Sequence, residues 1–235
     1  MDNLDRTGQH YMIDKDLIQF IVDSAELKAS DIVLEIGYGH GELTKELAKD
    51  CKILAVDMTH HDLKLKNVTQ IDANILDMFD GLYRKYGFNK IVSNIPYNIS
   101  EPLMKLLFKT DIELIVLTVG KNFADVLSKK DNRIGIIANN LYDVRILKSV
   151  PKKAFRPMPR VESAVVMLSR KDTCHVYTKI VTLDDKKLRN IIERVSKKTK
   201  REVKSLTADD LFDKKLYELS NDEFIRFDAS LKDVL

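Results

Sequence analysis

The chain has 235 residues, a net charge of +3 and a 44% hydrophobic share. That suits one full domain with a small appendage, and so mild a basic balance does not by itself announce a nucleic-acid partner. Two lone cysteines, Cys51 and Cys174, exclude a disulfide framework and a cysteine metal site, and the lack of any apolar run of membrane-spanning length predicts a cytoplasmic protein without membrane contact.

Residues 1–13 read on composition as a frayed arm. Asp14 is placed to cap a helix over 15–27, whose apolar positions Leu17, Ile18, Ile21, Val22 and Ala25 have helical spacing. Residues 31–36 form a short buried strand that runs into Gly37-Tyr38-Gly39-His40-Gly41 and then a helix from Glu42. Glycines let the backbone turn tightly and approach a ligand closely. The spacing is G-x-G-x-G, not the dinucleotide fingerprint G-x-G-x-x-G. The turn is either a cradle for a nucleotide-like ligand or purely structural.

A second strand, 52–57, ends in Asp57, about 20 residues beyond the turn, where such folds present a carboxylate to ribose hydroxyls. A third strand, 68–71, is followed by Asp72 and Ala73. The Asp72 carboxylate can accept from an adenine amine with the Ala73 amide as donor, or Asp72 is a turn residue. A helix over 74–86 is closed by Gly87.

The fourth strand, 90–93, delivers Asn94-Ile95-Pro96-Tyr97 to its carboxyl end, where open α/β sheets bind ligands. An exocyclic base amine is a weak nucleophile because its lone pair is delocalised into the ring. Acceptors aimed at its hydrogens hold the nitrogen closer to tetrahedral. The Asn94 side-chain oxygen and a neighbouring carbonyl can do this. Pro96 removes a competing donor and fixes the turn, and Tyr97 offers a face on which a base taken out of its helix can stack. The alternative is an ordinary strand-to-helix turn with a core tyrosine.

A fifth strand over 113–118 and helices over 121–130 and 134–141 follow, then an antiparallel pair, 142–148 and 163–169. The loop between them carries three prolines and sets Phe155 among Lys152, Lys153, Arg156 and Arg160. That pattern fits a single-stranded nucleic-acid surface or a core-facing Phe beneath a solvated loop. His60 and His61 read as surface residues and no metal site is expected. Composition shifts near 171–173, which predicts a catalytic domain over 1–172 and a small helical domain over 173–235. The basic run Lys197–Lys204 is a solvated face or a phosphate grip.

From about Gly8 to Arg170 the chain resembles the adenine N6-dimethyltransferases of small-subunit ribosomal RNA. The carrying segments are Gly8–Asp14, Val33–Thr44, Asp72-Ala73, Asn94–Tyr97 and Ala154–Val166. The resemblance implies a class I methyltransferase sheet, Rossmann-like, of seven strands with the last antiparallel, and a helical C-terminal domain. It implies S-adenosylmethionine as cofactor, ribosomal RNA or the small subunit as partner, and a monomer. It also replaces the frayed arm with a segment folded over the cofactor, making Gln9, His10 and Met12 cofactor contacts. Gly37 and Gly39 would lie against the methionine part, Asp57 on the ribose, and Asp72 and Ala73 at the adenine. Asn94 would touch cofactor and target amine, while Tyr97 and Phe155 would sandwich the base.

Three departures stand out. Tyr38 occupies a position where the family has proline, and the stretch Val119–Gly135 lacks the family's Gln-x-Glu-x-Ala-x-Arg and Tyr-Gly. The C-terminal part is also short. Two alternatives therefore accompany the main expectation. One is a paralogue acting on another exocyclic amine, such as cytidine N4. The other is a non-catalytic RNA-binding assembly factor. A nicotinamide-dependent oxidoreductase shares the glycine turn and Asp57 but does not account for Asn-Ile-Pro-Tyr.

Overall fold

In the computed structural model, which describes residues 10–172, 175–183, 186–196, 209–211 and 213–234, the apolar runs pair as strands of one sheet. The strands are β2 (Ile32–Ile36), β3 (Lys52–Asp57), β4 (Val68–Asp72), β5 (Lys90–Asn94), β6 (Leu114–Gly120), β7 (Tyr142–Val150) and β9 (Ser163–Arg170). Their spatial order is β4-β3-β2-β5-β6-β9-β7. The first five pair in parallel, and β9 runs antiparallel to both β6 and β7. This is the seven-stranded arrangement that the family resemblance implies.

Strand alternation sends successive side chains to opposite faces. Val33, Ile53, Ala55 and Val92 pack with α1 (Lys15–Ser24) and α2 (Glu42–Leu47). Leu34, Leu54, Val56 and Ile91 pack with α3 (Ile75–Tyr86), α4 (Ser100–Leu107), α5 (Lys121–Ser128) and α6 (Arg133–Leu141). Local chemistry sets the helix ends. Asp14 Oδ1 accepts from Leu17 N at 3.0 Å, Asn74 Oδ1 accepts from Leu76 N at 3.1 Å, and Gly87 closes α3 with a φ of 61°.

Residues 10–13 are not frayed. A small second sheet pairs β1 (Tyr11–Met12) with β8 (Phe155–Arg156), in the register Met12↔Phe155. The segment therefore straps the proline-rich loop to the body of the sheet.

The C-terminal helices α7 (His175–Thr182), α8 (Leu188–Ser196) and α9 (Asn221–Val234) contribute Ile180, Ile191 and Phe224 to the core beneath α6. Tyr177 donates to Asp228 Oδ1 at 2.6 Å and Asn140 donates to the same atom at 3.1 Å, tying α7, α9 and α6 together.

Strand order reverses between β2 and β5. The crevice beyond their carboxyl ends is a topological switch point, where neighbouring loops diverge and leave room for a ligand.

Candidate active site

A cavity of about 650 Å³ opens at that switch point. Its floor is the glycine turn after β2. Gly37, Gly39 and Gly41 have φ of 72°, 51° and 81°, a region that residues with a Cβ avoid. The turn is also crowded. A Cβ on Gly37 would stand 3.3 Å from Pro96 Cδ, and one on Gly39 would stand 2.8 Å from the Tyr11 ring. The glycine turn thus touches both the Asn-Ile-Pro-Tyr segment and the N-terminal strap.

Asp57 closes the adjacent wall at the end of β3. It is 9% exposed, and its carboxylate accepts from Gly39 N and Thr59 N, each at 3.0 Å. A carboxylate has about four lone-pair sites. One holds the glycine turn and one the segment after β3, and two remain for hydroxyl groups in the cavity. Met58 and Ala73 continue this wall as apolar surface.

Opposite lies the end of β5. The Asn94 side-chain amide donates through Nδ2 to the backbone carbonyl of His10 at 3.1 Å. A carbonyl only accepts, so this contact orients the amide and leaves Oδ1 on the other side. That Oδ1 is buried and has no hydrogen-bond partner among the described residues. A buried acceptor left unpaired costs about 1–3 kcal/mol, which marks a position made for a donor. Pro96, with φ of −57°, starts the short turn Tyr97–Ile99 that leads into α4.

The Tyr97 hydroxyl and Ser163 Oγ are 2.5 Å apart, and Gly120 lies behind the ring, its built Cβ 3.8 Å from Cδ2. Burial holds the Tyr97 phenol above its ordinary pKa, with the Ser163 contact opposing it. The ring is a neutral, fixed surface. Arg160 and Val161 form the outer rim, and both are exposed.

The cavity thus brings together His10, Gly37, Gly39, Asp57, Ala73, Asn94, Pro96 and Tyr97. Three expected site residues lie elsewhere. Phe155 is 1% exposed and Met12 5% exposed; they pair across β1 and β8 and face the core, so neither lines the cavity. Burial under the strap, decided by strand pairing, makes Phe155 a core residue in this structure. Asp72 is off the wall too: its side chain is half exposed and bonds to His60 Nδ1 at 2.9 Å, so the polypeptide's contribution at that point is Ala73. Gln9, Cys174 and the basic run Lys197–Lys204 lie outside the described residues.

Tyr11, Met58 and Val161 line the cavity although the sequence marked none of them. Arg160 was visible only as a cation near Phe155. Tyr38, the departure from proline, is 3% exposed; its hydroxyl accepts from Gln70 Nε2 at 2.9 Å and from His61 N at 3.2 Å. It anchors the segment after β3 that carries Met58. Among the described residues no cluster of three or more His, Cys, Asp or Glu can hold a metal, and no helix is long and apolar enough to cross a membrane.

A family model described as ribosomal RNA adenine dimethylase matches residues 3–229. A probable ribosomal RNA small subunit methyltransferase A of Methanopyrus kandleri is 39% identical over 176 residues, covering 71% of this chain and 63% of that protein. The protein of the same description from Pyrococcus abyssi is 35% identical, with coverages of 71% and 65%. The one from Methanococcus vannielii is 32% identical over 221 residues, with coverages of 87% and 79%. The chain thus spans just under two thirds of the first two relatives. Among solved structures, a dimethyladenosine transferase from Plasmodium falciparum aligns with a TM-score of 0.65 at 21% identity, covering 95% of this chain and 98% of that one. The 23S rRNA methyltransferase ErmE aligns at 0.60 and 19%, with coverages of 94% and 99%. At those identities the two structures speak to the fold, which is that of class I methyltransferases.

Proposed function

The chain belongs to the ribosomal RNA adenine dimethylase family, and on that premise we propose that it methylates the exocyclic N6 amine of adenosine in small-subunit ribosomal RNA, with S-adenosylmethionine as donor. The observation that carries this reading is the unpaired, buried Oδ1 of Asn94, held in its orientation by His10 and standing beside the glycine turn.

The cavity suits such a cofactor. A crowded glycine turn admits a ligand against its backbone, Asp57 keeps acceptor capacity for ribose hydroxyls, and Met58 and Ala73 offer apolar surface to a purine. When bound, the cofactor supplies a methyl group on a sulfonium whose C–S electron pair leaves with sulfur. The chain's residues then have three tasks. Asn94 Oδ1 accepts from the target amine and raises its nucleophilicity, Tyr97 holds the base by its face, and the strap and rim exclude water. A new N–C bond forms and the amine proton passes to solvent. Placement in line accounts for most of the rate, because the leaving group is already activated. We assign the catalytic work to residues 1–172 and a role in gripping RNA to residues 173–235.

The test is incubation of the protein with labelled S-adenosylmethionine and small ribosomal subunits from cells lacking it, followed by nucleoside analysis. Label in dimethyladenosine is expected. Label in a cytidine derivative would keep the chemistry and change the target. Cofactor binding without any transfer would refute the small-subunit target and point to a different RNA or a binding role.

A further inference from the structure

The strap covers the glycine turn with the side chain of Tyr11. A Cβ built on Gly39 would stand 2.8 Å from Tyr11 Cδ1 and Cε1, so the ring rests directly on the turn, and Tyr11 also lines the cavity. Burial raises the pKa of its phenol, and the charges of Asp57 and Glu42, on the two flanks of the turn, add to the effect. The backbone of the strap is fastened elsewhere. Tyr11 pairs with Arg156, and Ile13 N donates to Ala154 O at 2.9 Å, so the main chain belongs to the proline-rich loop. A ligand seated against Gly37 and Gly39 is therefore enclosed by a ring.

That ring is held in turn by its neighbours. His40, from the glycine turn itself, packs against Tyr11 with centroids 4.4 Å apart and planes inclined by 33°. This is the near limit of the range for aromatic contacts, about 4.5–7 Å. His61 meets His40 edge-on, with centroids 4.8 Å apart and planes at 72°. His61 is anchored from below. Its backbone N donates to the Tyr38 hydroxyl at 3.2 Å, and its ring meets the Tyr38 ring edge-on at 6.4 Å and 85°. Tyr38 is buried, and its hydroxyl also accepts from Gln70 Nε2 at 2.9 Å. The four rings thus run in one chain from a buried base to the strap. They join the glycine turn, the segment after β3 and the strap, which border the cavity on this side. The base of the chain is the residue that stands where the family has proline, and proline offers neither an aromatic ring nor a hydroxyl.

We propose that His40 is a positioning residue that latches the strap over the glycine turn through Tyr11, so that the chain of rings from Tyr38 to Tyr11 gates exchange of the cofactor. This rests on the reading of the cavity as the cofactor's pocket. The contacts are made within the protein, so they close the empty and the loaded pocket alike. Weakening them opens both, and the cofactor then enters as well as leaves faster. A residue that merely touched the cofactor would change koff and leave kon as it was.

The test is rapid-mixing binding of S-adenosylmethionine to the full chain, which gives kon and koff, with Tm as the check on folding. It compares the unaltered protein with His40→Ala, His40→Phe, Tyr38→Phe and the double variant His40→Ala/Tyr38→Phe. His40 is exposed, so its replacement leaves the core intact. An aromatic pair is worth about two- to tenfold in an opening equilibrium. His40→Ala is expected to raise kon and koff together by about that factor, with Kd changing much less. His40→Phe keeps a ring against Tyr11 and is expected to restore most of the difference. Tyr38→Phe deletes only the hydroxyl that fixes His61. It is expected to raise both rates when His40 is present and to add nothing when His40 is alanine. Three results would overturn the proposal: a His40→Ala effect on koff alone, a phenylalanine variant no better than alanine, or fully additive effects of His40→Ala and Tyr38→Phe. An unaltered protein that does not bind S-adenosylmethionine would overturn the cofactor reading and this proposal with it. One that binds it, with both rates indifferent to His40→Ala, would overturn this proposal alone.

Discussion

Replacing Glu35 with glutamine isolates a carboxyl group that the sheet buries beneath the glycine turn. Glu35 lies in β2 and is 2% exposed, and its Oε2 has no partner among the described residues. Burial pushes its pKa from 4.5 up to about 8, and the charges of Asp57 and Glu42 add to the effect. Between those two values the folded protein retains a proton that the unfolded chain has released. The folded state then binds more protons, so stability falls as pH rises through this window and levels off above it. Below about 4.5 both states are protonated and the cost is absent. At 1.36 kcal/mol per pH unit the whole window corresponds to about 5 kcal/mol, of which about 3 kcal/mol has accrued by pH 7. Glutamine cannot titrate, and the other ionisable groups are common to both proteins. The difference in unfolding free energy, Glu35→Gln minus unaltered protein, should therefore grow by several kcal/mol between about pH 5 and pH 8. Urea unfolding at a series of pH values measures it. Two parallel stability–pH curves would refute the reasoning, because they would mean that Glu35 ionises in the folded state as easily as in water.

Asn94→Ala removes the preorganised acceptor and should lower kcat by about a hundred- to a thousandfold; single-turnover transfer at saturating cofactor would reveal a smaller effect. Gly135→Ala would place a Cβ 1.9 Å from the backbone oxygen of Lys129 and 2.6 Å from that of Val126, where α5 meets α6. Neither oxygen belongs to a flexible side chain, so a loss above about 4 kcal/mol is expected in denaturant unfolding; near-neutral stability would contradict the α5–α6 packing. Lys90→Met would strip a buried ammonium from Asp31, 2.9 Å away, and from the carbonyls of Ala25 and Glu26 at 3.0 and 2.7 Å. Leaving Asp31 buried without its cation should cost about 3–5 kcal/mol, read as a drop in Tm, while methyl transfer persists at temperatures where the variant is folded.

Much of the scaffold was legible residue by residue. The apolar runs 31–36, 52–57 and 90–93 became the adjacent parallel strands β2 (Ile32–Ile36), β3 and β5 (Lys90–Asn94). The cap Asp14 and the terminator Gly87 act within a few residues of where they stand, and the structure adds Asn74, read as the first helical residue, as the cap of α3. The same holds for the glycine turn, whose positive φ values are a local demand. The site was legible wherever a strand end delivers the residue directly, as with Asp57 and Asn94.

It was not legible where the site depends on distant pairing. His10 meets Pro157 across 147 residues of chain, and nothing near either one announces the contact. That pairing buries Phe155 and Met12 together and sets the His10 ring on the cavity. Asp72 is drawn to His60 by a side-chain contact across the loop between β3 and β4. The hydroxyl of Tyr38, at the position where the family has proline, accepts from Gln70 and His61, contacts that span the loop after β3.

The sequence by itself determined the order of strands and helices, the position of the ligand crevice, and the chemistry of the residues delivered to it. These follow from turn geometry, capping and hydrophobic period, which act over a few residues. Only the tertiary structure decided which aromatic faces the cavity and which is core, and how the Asn94 amide is turned. Those outcomes depend on burial and on hydrogen bonds between segments far apart in the chain, and such contacts exist only once the strap closes over the sheet.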